Sequence, residues 1–478
     1  MHHIIQQIEQ LCSDKGILVK SIDVLPASGS DRRYFRIHTT DKTFIATYND
    51  NKVENHTFFE FTKHFKSKGI HVPEVIATAE KDMIYIQEDL GNDSLLHIIE
   101  KEGHTPNTYK MFEKTLKELA KLQIKGNEGL DYSLCLTSKE FDKQTIFTDL
   151  LYFKYYFLRT LKLQYDKQKL FDDFEALATY LTHTDAKYFL MRDCQSRNVM
   201  VKGEGIYFID YQGGMQGALQ YDVASLLWQA KAELPEDWKN SLLDYYIDEA
   251  NNLLEEKLDR SLFTAQYNGY VLIRLLQVLG AYGFRGLFER KAHFLSSIPL
   301  ALKNLKWFVQ NKKIGISLKE FSRVLDLITQ DEVIQKFETI KADENTPLHI
   351  RINSFSFLKT GYPKDETKNG GGYVFDCRGI LNPGRFEPYK QLTGRDKEVK
   401  DFLEQQTLMP DFLNNVFNIV DISVEDYIKR GFDSLYINFG CTGGQHRSVY
   451  AAEETARHLR NKYKVKVSVH HIEQGIHS

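Results

Sequence analysis

The run Met191-Arg-Asp-Cys-Gln-Ser-Arg-Asn198 sets an aspartate and an asparagine five residues apart, directly after an apolar strand expected over 188–192. A second apolar strand, over 206–210, ends in Asp210. Phosphoryl transfer needs a carboxylate to orient the attacking hydroxyl, oxygen ligands for Mg²⁺, and cations or backbone amides around a triphosphate. On this reading Asp193 is the base, and Asn198 and Asp210 are the metal ligands. Asp and Asn also form turns in any polar loop; the two flanking strands are what give this pair its meaning.

A second chemical signal lies near the end of the chain. Phe439-Gly-Cys-Thr-Gly-Gly-Gln-His-Arg-Ser448 follows a strand and opens a helix. Glycines there let amides and a helix N-terminus converge on one anion, and His446 and Arg447 can add charge. Cys441, Thr442, Gly443, Gly444, His446, Arg447 and Ser448 are therefore the expected phosphate-binding set. The spacing Cys-x-x-x-x-x-Arg-Ser also suits a cysteine-dependent phosphatase, so hydrolysis and recognition without cleavage both stand open.

The elements that must hold these groups follow from periodicity. Residues 17–88 read as three strands, a helix and two strands, with a small-residue loop at Pro26-Ala-Ser-Gly-Ser-Asp-Arg-Arg33. From 91 to about 341 the pattern is mainly helical, interrupted by the two strands of the Asp193 region. Polar Ala342-Asp-Glu-Asn-Thr-Pro347 marks a boundary. Beyond it, strands alternate with helices, with a glycine-rich loop at 370–372, as in a small α/β unit. The expected architecture is an α+β, protein-kinase-like bilobal domain followed by a smaller α/β domain.

Composition limits the function classes. In 478 residues, 62 Lys and Arg nearly balance 65 Asp and Glu, so no global field draws nucleic acid or anionic lipid. The apolar run 271–279 is broken by Arg274 and Gln277 and is short for a bilayer, so no membrane span is expected. Five scattered cysteines without a CxxC pair fit a reducing cytoplasm better than a disulfide framework or zinc cage.

Three segments, Gly29-Ser-Asp-Arg-Arg-Tyr-Phe-Arg36, Met191–Asn198, and Phe208-Ile-Asp-Tyr-Gln212 with Gln220-Tyr-Asp-Val-Ala-Ser-Leu-Leu227, give residues 1–341 a resemblance to the aminoglycoside-phosphotransferase/choline-kinase superfamily. Within it they look closest to bacterial anomeric kinases of N-acetylmuramate and N-acetylglucosamine. The resemblance implies an N-lobe over 1–90, a helical C-lobe over 91–341, ATP and Mg²⁺ as cofactors, and a small-molecule sugar as acceptor. It implies ATP contacts from Ser28, Gly29, Ser30, Arg32, Arg33 and Arg36, with Glu88 and Leu90 at an adenine hinge. The strand Thr43-Phe-Ile-Ala-Thr-Tyr48 lacks the usual ATP-pairing lysine. One of Arg32, Arg33 and Arg36 is expected to replace it, with Arg33 as the expected catalytic group; Glu54 and Glu60 both remain available as its partner. Asp222 is expected to hold the catalytic loop.

After the linker 342–347, residues 348–478 resemble the RapZ C-terminal domain through Val374-Phe-Asp-Cys-Arg378, Asn382-Pro383, Leu392-Thr-Gly-Arg-Asp-Lys397 and Gly440–Ser448. That resemblance implies binding of an amino-sugar phosphate. The Lys/Arg tail used on RNA is missing after His471, so nucleic-acid binding is not carried over. A pseudokinase, or a kinase for a non-sugar alcohol, is the alternative for the first domain. The oligomeric state is not set by the sequence.

Overall fold

The computed structural model describes all residues except 1, 26–31, 80–82, 185–186, 290, 366, 368–371 and 478. The chain divides into two compact units, residues 1–284 with 297–335, and residues 285–296 with 336–478. The break after 335 falls a few residues ahead of the linker expected from sequence.

The first unit opens with the helix His2–Asp14 and five antiparallel strands: β1 (Ser21–Val24), β2 (Arg33–His38), β3 (Thr43–Tyr48), β4 (Val75–Thr78) and β5 (Ile84–Glu88). Their order is β1-β2-β3-β5-β4. In β2, Phe35 and Ile37 are buried with Ile4, Ile8 and Leu11 of the first helix. By the two-residue alternation of a strand, Arg32, Tyr34 and Arg36 share the other face. The helix Lys52–Ser67 begins where Asn51 accepts the Glu54 N–H, a cap worth about 1 kcal/mol. Phe58, Phe61 and Phe65 lie buried along one face of this helix, while its first turn is polar and carries no periodic signal.

The helical lobe contains the hairpin β7 (Val199–Lys202) and β8 (Gly205–Phe208), and the pair β6 (Tyr188–Leu190) and β9 (Met215–Gly217). Among these, β7 and β9 were not expected: three or four residues show too little alternation. The helix Arg260–Tyr282 is buried along Val271, Leu272, Ile273, Leu275, Leu276 and Leu279. With its continuation to Phe288, it is long and apolar enough by length and composition to cross a membrane; 56% of its apolar window is buried within the protein, and Arg274 lies inside it.

The second unit has a sheet in the order β11-β12-β10-β13-β14, with β10 (His349–Ser356), β11 (Gly372–Asp376), β12 (Ser434–Cys441), β13 (Lys466–His471) and β14 (Ile476–His477). β11, β12, β10 and β13 are parallel and β14 is antiparallel. Ile350, Ile352, Leu435, Ile437, Phe439 and Val469 face a core shared with the helices Lys397–Gln406, Met409–Arg430 and Arg447–Tyr463.

Candidate functional sites

The Asp193 loop is built by a buried carboxylate. Asp222, fully buried, accepts the Met191 N–H at 2.7 Å and the Arg192 N–H at 3.1 Å. Burial pushes its carboxyl up to about 7 against those two donors, which favour the charged form. The clamp holds Arg192 at φ 75°, in the left-handed region that non-glycine residues enter rarely. The Arg192 side chain bonds Asp149 at 2.7 Å and the Tyr221 hydroxyl at 3.0 Å. Its guanidinium also lies over the Phe141 ring. With the backbone reversed and anchored, Asp193 is turned into the site.

Asp193 is held by cations on both oxygens. Arg274 donates to Oδ1 at 2.8 Å and Arg197 to Oδ2 at 3.0 Å. Burial raises the carboxyl, but Arg274 and then Arg197 outweigh it and keep it below the usual carboxylate range. Asp193 is therefore ionised at neutral pH and able to accept a proton. Asn198 donates Nδ2 to the Asp193 carbonyl at 2.9 Å. Its own carbonyl accepts the Ile209 N–H at 3.0 Å, and Val199 pairs with Phe208, so the hairpin brings Asn198 beside the residue preceding Asp210. Asp210 has φ 64°.

The three candidate arginines have different fates. Arg32 donates to Asp210 Oδ1 at 3.3 Å and is ion-paired with Glu54. It therefore bridges the Asp210 loop and the helix Lys52–Ser67. Arg36 bonds Asp89 at 2.7 and 3.1 Å and Asn92 at 2.9 Å; it ties β2 to the hinge and is not brought to the Asp210 cluster. Arg33 is exposed and alternates with Phe35 and Ile37, away from Arg32; of the two, it is Arg32 that reaches Asp210. Ser28, Gly29 and Ser30 lie outside the described residues. Glu88 receives Lys202 Nζ at 2.8 Å, and the same nitrogen bonds the Asp89 carbonyl at 3.0 Å. Leu90 is 7% exposed at that hinge.

Sequence reasoning missed Arg274. It had one signal, a charge in the middle of an apolar helix, and was used only to argue against a membrane span. A buried guanidinium needs a partner, and here the partner is Asp193. Arg197 was also in view within the loop and left without a role.

In the second unit, β12 ends in Cys441 and the helix Arg447–Tyr463 starts six residues later. Cys441 Sγ receives the Gly444 N–H and the Ser448 Oγ, each at 3.2 Å. Gly444 has φ +66°, and a Cβ there would lie 2.3 Å from Glu473 Cγ. Beside Gly443 the space is open, with no atom within 4 Å of a Cβ position. Arg447 is 4% exposed. Its Nη1 bonds the carbonyls of Arg378 and Ile380 at 3.1 and 2.7 Å, and its Nη2 bonds Thr442 Oγ1 at 3.3 Å. Arg447 Nε is buried without a hydrogen-bond partner, an orphan donor at a helix N-terminus that an anion would satisfy. His446 bonds the Tyr389 carbonyl at 2.9 Å, and burial lowers its pKa. Burial thus favours its neutral form.

The fold defines a protein-kinase-like phosphotransferase domain followed by an α/β domain with a mixed sheet. Residues 22–256 match the phosphotransferase enzyme family and residues 348–475 match the RapZ C-terminal domain. The chain thus carries a phosphotransferase-family domain and a RapZ C-terminal domain in series. It is 32% identical over 191 residues to a nucleotide-binding protein of Fusobacterium nucleatum, covering 38% of this chain and 61% of that one. A nucleotide-binding protein of Fervidobacterium nodosum is 30% identical over 203 residues, covering 40% and 68%. The chain thus spans 61% to 68% of the length of these two curated relatives. Among solved structures, a choline kinase from Cryptosporidium parvum has a TM-score of 0.47 at 14% identity, covering 67% of this chain and 99% of that one.

Proposed function

We propose that the first domain transfers the γ-phosphoryl group of ATP to the hydroxyl of a small molecule, with the anomeric hydroxyl of a cell-wall amino sugar as the favoured acceptor. The observation that carries this reading is the meeting of Asp193, Asn198 and Asp210 around one loop, with Arg32 on Asp210. The ionised Asp193 carboxylate orients the acceptor O–H and takes its proton as the new O–P bond forms. The bond between the γ-phosphorus and its bridging oxygen breaks, and ADP leaves. Asn198 and Asp210 supply oxygen ligands suited to Mg²⁺. Among the described residues no group of three or more His, Cys, Asp and Glu could cage a metal ion, which fits an ion that takes one or two side-chain ligands and completes its shell with phosphates and water. When bound, Mg²⁺ supplies charge neutralisation at those phosphates.

The Arg32–Glu54 ion pair is proposed to take the part that a lysine–glutamate pair plays in kinases, with Arg32 as the cation assigned to the triphosphate. The cytoplasm is the expected compartment, since ATP is there and the cysteines are all free thiols.

The second domain is proposed to bind a sugar phosphate at Cys441–Ser448 and leave it intact. A phosphatase would also need an acid to protonate the leaving oxygen; Asp376 and Asp396 are carboxylates of this domain, and they bond Arg378 and Thr393. The Sγ contacts from Gly444 and Ser448 favour the hydrolytic alternative. Those contacts make it worth testing directly.

The test is a screen of amino sugars and other alcohols with ATP and Mg²⁺, reading ADP release and locating the phosphate by NMR. Asp193→Asn is expected to abolish transfer while leaving ATP affinity near normal; full activity in that variant removes the assignment. In the Asp193→Asn background, the chain is then incubated with amino-sugar phosphates. Phosphate release that disappears in Cys441→Ser would establish the phosphatase.

A further inference from the structure

On the sheet of the second unit, the helix-packed face carries Ile350, Ile352, Ile437 and Val469. The other face carries Arg351, Asn353, Tyr436, Ser468 and His470, set side by side by the pairings Arg351↔Tyr436, Arg351↔Ser468 and Asn353↔His470. A sheet face turned to water is ordinarily polar, so polarity alone means little. Here, however, Tyr436 is 7% exposed and Asn353 8%. Both form part of the wall of a cavity of about 660 Å³ completed by Pro363, Lys364 and His477. That volume lies in the range of small-molecule sites.

The charge is one-sided. Arg351 and Lys364 line the cavity with two histidines, and no carboxylate is among the described lining residues. Neither cation has a carboxylate partner among the described residues; the Arg351 guanidinium bonds Ser434 Oγ at 3.0 Å and lies over the Tyr436 ring. The chain as a whole carries slightly more acidic than basic residues, so an acid-free cavity wall is a local feature. The same field reaches His349, whose pKa is lowered by burial, Arg351 and Lys466. Flat faces accompany the charge: the His470 and His477 rings stack at 3.8 Å with 17° between their planes.

We propose that this cavity is a second ligand site of the domain, separate from the Cys441–Ser448 loop, and that it takes a nucleoside phosphate. Arg351 and Lys364 meet the phosphates by charge-assisted hydrogen bonds. The imidazole platform of His470 and His477 offers a surface for a base to stack upon; Asn353, whose amide donates to Asn438 Oδ1 at 2.8 Å, and Ser468, whose hydroxyl bonds His349 at 3.0 Å, line the wall beside it with polar capacity beyond those single bonds. None of these groups belongs to the anion loop or to the kinase cluster.

The test is calorimetric titration of the full chain with ADP, adenosine and pyrophosphate, in wild type, Arg351→Gln, His477→Ala and Arg32→Ala. The expected result is an ADP-binding event weakened about ten-fold or more by Arg351→Gln, weakened also by His477→Ala, and untouched by Arg32→Ala. Adenosine and pyrophosphate alone are each expected to bind more weakly than ADP. A kinase domain that failed to bind ADP would remove the Arg32-sensitive event and leave this one. His477 is exposed, so its variant remains informative should Arg351→Gln disturb the sheet. ADP binding that is indifferent to both substitutions would overturn the proposal. Pyrophosphate binding as tightly as ADP, or an RNA oligonucleotide binding through the same residues more tightly than ADP, would overturn the nucleotide assignment.

Discussion

Replacing Arg274 with methionine tests how the catalytic carboxylate is kept ionised and aimed. The substitution keeps an unbranched apolar stem in a helix that is buried on both sides of the position and removes the 2.8 Å bond to Asp193 Oδ1. Two unit charges about 4 Å apart attract by about 4 kcal/mol at an effective dielectric of about 20. Asp193 keeps Arg197 on its other oxygen, and its side chain is 30% exposed, so solvent and the remaining cation recover part of this. A net loss of about 1–3 kcal/mol follows, together with a carboxylate free to rotate away; positioning errors of that kind cost about 10–100-fold in rate. Because Arg274 is a main reason the Asp193 carboxyl lies below the usual range, its removal moves the acid limb of the kcat/KM profile to higher pH. Arg274→Lys is expected to recover part of both effects. The sign carries over to stability: a group with a depressed folded pKa stabilises the fold above the ordinary carboxylate range and loses that contribution as pH falls through the folded value. The Tm gap between wild type and Arg274→Met should then be widest near neutrality and narrow below about pH 4. A rate loss with an unmoved acid limb and a pH-independent Tm gap would refute the electrostatic role and leave Arg274 as packing.

Arg32→Ala is expected to cost about 10³ in kcat/KM and to raise KM for ATP, while Arg36→Ala, which loosens the hinge through Asp89, leaves the chemical step largely intact; equal effects in steady-state assays would undo the distinction. Asp222→Ala leaves the Met191 and Arg192 N–H groups without their acceptor and should lower stability by about 2–4 kcal/mol, read as a shift in urea midpoint, with activity falling alongside. Gly444→Ala places a Cβ at positive φ and against Glu473, costing about 1–2 kcal/mol locally; sugar-phosphate binding should drop while kinase turnover stays unchanged, and unaltered binding would argue against the loop as the phosphate cradle.

The phosphotransferase and RapZ families were legible because each motif is short, contiguous and punctuated by its neighbours: 191–198 lies between two strands, and 439–448 runs from a strand into a helix. What the sequence hid depends on distance. Arg274 and Asp193 are 81 residues apart, and Arg32 and Asp210 are 178 apart; no local pattern joins them. Choosing among Arg32, Arg33 and Arg36 required the parity of β2. One residue of shift sends a side chain to the opposite face, and the strand's first residue fixes that parity only when the neighbouring strand is in place. The strands β7 and β9 were hidden for a simpler reason, being shorter than the alternation that would announce them.

The missing lysine is more than a substitution of one cation for another. A lysine on β3 would arise from the middle of the sheet, whereas Arg32 immediately precedes β2. Its guanidinium fork holds two carboxylates at once, Glu54 and Asp210, which a single ammonium does with less geometric definition. Asp210 is therefore engaged by a cation in this structure, and on the proposed mechanism it must also serve as a metal ligand. The two roles are compatible through division of labour between its oxygens, since Arg32 and Gln212 both reach Oδ1 and leave Oδ2 for the metal ion. On that arrangement Arg32 orients the ligand as well as neutralising phosphate. Its loss should weaken Mg²⁺ dependence and ATP affinity together, a coupling that a lysine on β3 would not produce.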